Sequence, residues 1–148
     1  MEIAIIADDT KKELMTQFCI AYCGILSHHH LIATQTTGKY IAEATGLEID
    51  SMLPGDIGGM EQIVSCVAYN EIDMVLYFRD TSSDTTEYEA DRNLLRECDA
   101  NNVPIATNIA TAEVLVLALE RGSLDWREIV NPRSEYNRRR RAQAQGGK

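Results

Sequence analysis

The chain has 148 residues, 45% of them hydrophobic and 25% charged, and a formal net charge of −9. That length gives one ordinary domain with room for a real core, in the composition range of soluble globular proteins. An acidic body disfavours nucleic acid as the main partner, because phosphate contacts need a basic surface. No stretch approaches the roughly 18 continuous apolar residues of a membrane span.

In chain order, "EIAIIA" (2–7) reads as a buried strand. No basic segment precedes it, so it is not a signal peptide and a cytoplasmic location is expected. A helix follows over about 11–26, with Leu14, Phe18, Ala21, Tyr22 and Ile25 on a common face. Cys19 and Cys23 lie on it at i,i+4 spacing, which suits core packing better than a disulfide or zinc site. His28, His29 and His30 stand where helix gives way to strand. Neighbouring side chains there point in different directions, which argues against a shared metal.

"LIAT" (31–34) reads as a second strand, and a short helix is expected over 39–44 with Gly46 as its C-cap. The turn "PGDIGG" leads into a helix over 60–69. "MVLYF" (74–78) is a third buried strand, and a helix covers 88–101. There Glu87, Glu89 and Asp91 favour the N-terminus through the helix dipole. "PIATN" (104–108) is the last expected strand, and the helix over 112–120 ends near Gly122. Trp126 belongs to the packed end of the domain. Residues 133–148 hold six basic residues and one acidic, a balance of +5, so the rest of the chain carries −14. They are expected to be a frayed, solvated, basic tail after a folded domain over 1–132. Alternating strands and helices predict a single α/β domain, a mostly parallel sheet with helices on both faces.

In such sheets ligands bind beyond the carboxyl ends of the strands. "ATQTTGKY" is the most informative segment there. Thr34, Thr36 and Thr37 supply hydroxyls, and amide N–H groups at a helix start attract anions. Lys11 or Lys12 would add positive charge, and "PGDIGG" a glycine turn with more amides. The threonines would equally serve as helix N-caps. The pattern is neither a Walker A loop nor the dinucleotide fingerprint.

These segments resemble the methylglyoxal synthase family over about residues 1–130. The family's AHD with a nearby lysine appears as "ADDTKK", its TGTTG as "TQTTG", and "EATGL" is present at 43–47. Its SGPxGGDQQ appears as "PGDIGGMEQ", its RDP as "RDT" at 79–81, and its PxATNxxTAE as "PIATNIATAE" at 104–113. The resemblance implies a fold of this Rossmann-like, three-layer kind and a reaction, elimination of phosphate from dihydroxyacetone phosphate to give methylglyoxal. It implies no cofactor and no metal. Its expected partners are a small phosphate-containing ligand and further copies of the chain, since the family forms oligomers, commonly hexamers.

Carried over position by position, the phosphate-binding half is kept in Lys12, Thr36, Thr37 and Gly55, with Thr34 nearby. Asp9 of AHD and Asp80 of RDP are kept as catalytic candidates. The proton-transfer half is not. Met60 stands where the family has its aspartate base, and Asp8 replaces the AHD histidine. Glu87 and Ala90 replace the histidine and final aspartate of PHEPD. A thioether cannot take a proton at physiological pH, and a general base contributes typically about 10²–10⁴-fold. The resemblance therefore implies a phosphate-ester site with the parent reaction weakened or lost. The alternative is a non-catalytic phosphate sensor or regulatory subunit assembling with an active relative.

Overall fold

The structure, a computed structural model, describes residues 1–82 and 88–147. Five strands form one parallel sheet in the order β3-β2-β1-β4-β5. They are β1 (Glu2–Ala7), β2 (His30–Ala33), β3 (Ile49–Ser51), β4 (Met74–Phe78) and β5 (Ile105–Ala106). The expected strands are all present, and the expected parallel sheet with helices on both faces is observed. Strand β3 is an addition: its sequence, Ile-Asp-Ser, is half-buried to exposed and carries no apolar run. It exists because β2 offers a free edge, with Ile32 facing Asp50 in register. Strand β5 shrinks from the expected five residues to two.

The helices around the sheet are α1 (Lys12–Ala21), α2 (Cys23–Leu26), α3 (Gln35–Thr45), α4 (Gly59–Ala68), α5 (Tyr88–Asn101), α6 (Ile109–Glu120), α7 (Arg127–Val130) and α8 (Glu135–Gly146). Side chains alternate across the strands and build two cores. Ile3, Ile5, Leu31, Ala33, Leu76 and Phe78 pack with Met15 and Phe18 of α1, Ile41 of α3 and Val116 of α6. Ala4, Ile6, Ile32, Val75 and Tyr77 pack on the other face with Met60 and Ile63 of α4 and Leu94 of α5. The chain thus moves outward from β1 to β3 along one face and crosses back to β4 along the other. That reversal leaves a crevice between β1 and β4 at their carboxyl ends.

Three local expectations change. The first helix breaks at Tyr22, so Cys19 is buried on α1 while Cys23 opens α2 half-buried. Leu14 and Ala21 face solvent, and the buried face runs through Met15, Phe18 and Cys19 instead. Helix α3 begins four residues early, at Gln35, which turns Gly38 from an entry residue into a helix interior. A Cβ there would lie 3.3 Å from Ile49 Cγ2, so glycine permits the close packing of α3 on β3.

The carboxy-terminal segment is not a frayed end. Ser134 caps α8, its hydroxyl oxygen accepting from Asn137 N at 3.1 Å while its hydroxyl donates to Glu128 O at 2.6 Å. Arg133 pairs with Glu71 at 2.7 Å. Helix α8 has no buried residue, so its arginines remain solvated although the backbone is regular. Among the described residues no helix is long and apolar enough to cross a membrane.

The amino-terminal end of the sheet is closed by charge. Arg127, fully buried, donates through Nε to Asp73 Oδ1 at 3.1 Å, through Nη2 to Asn70 Oδ1 at 2.6 Å and Ile72 O at 2.8 Å, and through Nη1 to Asn101 O at 3.2 Å. Asp73 Oδ2 accepts from Glu2 N at 2.8 Å and Asn131 Nδ2 at 3.0 Å. Nearby, His30 bonds Glu2 through Nδ1 and Asp50 through Nε2, the latter at 2.5 Å, tying β1, β2 and β3 together. Burial lowers the His30 pKa, but the two carboxylates outweigh it and the net shift is upward.

Arg127→Leu leaves Asp73 buried without its partner and should cost about 3–5 kcal/mol, lowering Tm by roughly 6–20 °C in a thermal melt. For His30, the raised folded-state value means its contribution is fully present below the unfolded value of about 6.5 and is lost as pH rises through the folded one. The gap in Tm between wild type and His30→Gln should therefore be widest at acidic pH and close as pH rises. A gap that stays constant with pH contradicts the clamp.

Candidate functional site

The carboxyl ends of β1, β2 and β4 bring the sequence candidates into one region. Asp8 follows β1, and its N–H donates to Phe78 O at 3.0 Å, which closes the crevice between β1 and β4. Its carboxylate is half-buried: Oδ2 accepts from Asp80 N at 2.7 Å and Oδ1 lies 3.1 Å from the Tyr77 hydroxyl. Tyr77, buried on β4, also bonds Asp91 Oδ1 at 2.9 Å, and Asp91 pairs with Arg79 at 3.4 Å. Burial, then the two carboxylates, pushes the Tyr77 hydroxyl well above its ordinary range, so it stays a neutral donor.

Lys12 opens α1 with its side chain 14% exposed. Its Nζ donates to Ala7 O at 2.8 Å and pairs with Asp9 Oδ1 at 3.1 Å, which accounts for two of its three hydrogens. Asp9 itself is 99% exposed, a counter-ion on the rim. Asp80 Oδ2 accepts from Thr10 Oγ1 at 2.8 Å, and Oδ1 from Ser82. Chiefly the Ser82 hydroxyl and amide, then Thr10, bring its pKa down to about 2. Asp80 is thus a firmly ionised, weakly basic group.

The threonines sit at the start of α3. Thr34 occupies the N-cap position, but no side chain caps the helix, and its hydroxyl donates instead to Thr37 Oγ1 at 3.3 Å. Thr36 is exposed and Thr37 buried. The first turn of α3, with the helix dipole behind it, thus has no side-chain cap, and of its amides that of Gln35 donates to Leu53 O. Gly55 begins a short 3₁₀ turn beside them, and a Cβ on it would lie 3.8 Å from Thr34 Cγ2. Leu53 N donates to Gln62 Oε1 at 2.8 Å, and Leu53 O accepts from Gln35 N at 3.4 Å, which ties the glycine turn to both α3 and α4.

Met60, on α4, is buried among Ile6, Ile32 and Ile63 in the second core. Ala90 packs, partly buried, against the same core. Glu87 lies outside the described residues. Two hollows of about 480 Å³ lie away from the crevice: one between the ends of α1 and α6, lined in part by His28 and His29, and one on the outer face of α3 that includes Thr36. Among the described residues no group of three or more His, Cys, Asp or Glu is arranged for a metal ion.

Sequence reasoning missed Tyr77 and the role of Asp91. Tyr77 lay inside a strand read as wholly apolar, and Asp91 in a helix start where acidic residues have a simpler explanation. The available signal was a tyrosine three residues before the aspartate that ends the strand-to-loop segment. Only the parallel pairing of Ile6 with Tyr77 places it behind Asp8.

A family model described as MGS-like domain matches residues 16–107. A methylglyoxal synthase of Caldicellulosiruptor saccharolyticus is 59% identical over 139 residues, covering 93% of this chain and 98% of that relative. One from Oceanobacillus iheyensis is 47% identical over 136 residues, covering 91% and 96%. The crystal structure of methylglyoxal synthase from Elizabethkingia anophelis superposes with a TM-score of 0.69 at 35% identity, covering 78% of this chain and 76% of that one.

The second glycine of the turn is set by space. A Cβ on Gly59 would fall 2.0 Å from Leu53 O, so backbone must shift to admit any side chain. Gly59→Ala should destabilise the fold by about 1–3 kcal/mol and, by moving the Leu53–Gly55 turn away from α3, abolish any stabilisation by inorganic phosphate. Thermal melts with and without phosphate read both effects.

Proposed function

The chain belongs to the methylglyoxal synthase family, and from that premise we propose that it binds a small phosphate ester at the carboxyl end of its sheet. We further propose that it eliminates phosphate from dihydroxyacetone phosphate, at a rate held down by Met60. The observation that carries the binding half is the start of α3, without a side-chain cap, beside Gly55, with Thr34, Thr36 and Thr37, and Lys12 at the start of α1 with its Nζ on the Ala7 carbonyl. Backbone N–H groups, hydroxyls and one ammonium form a cradle suited to a phosphate dianion. It also suits a leaving group, since the same donors stabilise charge as it gathers on the departing phosphate.

The attenuation follows from the burial of Met60. Its thioether is packed against isoleucines and offers no proton acceptor. Losing a general base alone removes about 10²–10⁴-fold. A non-catalytic phosphate sensor is the reading to which a complete absence of turnover would lead. Assembly into a homo-oligomer and a cytoplasmic location fit the family premise and belong to the same proposal.

Two measurements test this. Inorganic phosphate should raise Tm, with a stabilisation of about 2.7 kcal/mol once its concentration is a hundred times Kd; no shift at saturating phosphate refutes the cradle. Met60→Asp should raise coupled release of methylglyoxal and phosphate by roughly 10-fold or more, while exchanging a buried apolar side chain for a carboxyl should cost about 2–5 kcal/mol. Loss of stability with no gain in turnover would mean that the rate is not limited at this position.

A further inference from the structure

We propose that Asp8 is the proton-transfer group of this site, with Tyr77 as its positioning residue. This rests on the reading of the crevice as a phosphate-ester site. The other carboxylates near the strand ends are poorly placed for the task. Asp9 is fully solvated and paired with Lys12. Asp80 is held by Thr10 and Ser82 in a state that binds protons weakly. Glu61 is exposed on α4. Asp8 is half-buried where β1 adjoins β4, one residue beyond the Ala7 carbonyl that holds Lys12 Nζ.

A count of hydrogens supports the assignment. Tyr77 has one hydroxyl hydrogen and two carboxylates within reach, Asp8 at 3.1 Å and Asp91 at 2.9 Å. It can donate to only one at a time. When Asp8 is ionised, the hydroxyl donates to Asp8 and Arg79 alone compensates Asp91. When Asp8 carries a proton, it donates to the tyrosine oxygen, and the hydroxyl turns to Asp91. In both states Asp8 and Tyr77 stay hydrogen-bonded to one another, and the Asp91 carboxylate keeps Arg79 on its Oδ2. Asp8 can therefore gain and lose a proton while both its own oxygens stay hydrogen-bonded, Oδ1 to Tyr77 and Oδ2 to Asp80 N.

In the corresponding reaction the Asp8 carboxylate takes a proton from the hydroxymethyl carbon of dihydroxyacetone phosphate. The C–H electron pair becomes the C=C bond of an enediolate. A proton shift between the two enediol oxygens brings the negative charge to the terminal one. Reforming that carbonyl expels phosphate from the far carbon with the C–O bonding electrons. The enol that remains takes the proton of Asp8 on its terminal carbon as it ketonises to methylglyoxal, and its hydroxyl proton passes to the departed phosphate. One proton is taken and one returned, and nothing is oxidised or reduced.

The test follows methylglyoxal and phosphate release, together with the Tm shift produced by inorganic phosphate, in wild type, Asp8→Asn, Asp8→Gly and Tyr77→Phe. Asp8→Asn should lose about 100-fold or more in kcat with the phosphate shift unchanged, and added formate should restore part of the activity of Asp8→Gly. Tyr77→Phe should lower kcat about 10-fold with KM unchanged. Turnover that survives in Asp8→Asn overturns the proposal, as does a loss that formate cannot relieve, which would make Asp8 a structural brace. A wild type that phosphate stabilises but that releases no methylglyoxal also overturns it while leaving phosphate binding intact. Absence of the phosphate shift in wild type removes the underlying reading of the site, and the proposal with it.

Discussion

A parallel sheet covered by helices on both faces leaves polar chemistry only two places to go, its two ends. Every side chain of β1 and β4 is buried, so neither face can host charge without a full set of partners. The consequence is a molecule with opposite ends of different character. At the amino-terminal end the charges are paired with one another. At the carboxyl end they meet a crevice, a helix start without a side-chain cap, and solvent.

The closed end shows what complete pairing requires. Arg127 reaches one carboxylate and three other oxygens, and Asp73 in turn receives a backbone N–H and an amide. Among the described residues no buried side-chain nitrogen or oxygen lacks a hydrogen-bond partner. Such a network contributes less through attraction than through the cost of breaking it. It fixes where α7 leaves the sheet, and with it the cap that starts α8.

The open end is organised around a division of labour between the two faces. Lys12 and the threonines come from α1 and α3, which pack on one face; Met60 comes from α4 on the other. Met60 therefore packs in a different core from the one on which α1 and α3 rest. Asp8 sits at the seam between the faces, where β1 and β4 adjoin, and this position lets a residue from one strand be oriented by a tyrosine from the other.

The pattern of apolar runs and turn residues was enough to determine the parallel α/β architecture, the direction of the strands and the end at which to look for a ligand. Both cores are built from segments whose hydrophobicity is local and legible. The gathering of threonines and glycines beyond the carboxyl ends of β2 and β3 was legible too. What escaped was set by contacts distant in sequence. Strand β3 has no apolar signature and exists because β2 needed an edge partner. Arg127 looked like one arginine among many until Asp73, 54 positions away, was placed beside it. Tyr77 read as a core residue because its neighbours are, and its polar end acquires meaning only when β1 brings Asp8 alongside. A one-dimensional pattern reports how much a residue prefers burial; which polar atom it meets once buried is decided by strand order and register, and these arise only in the folded chain.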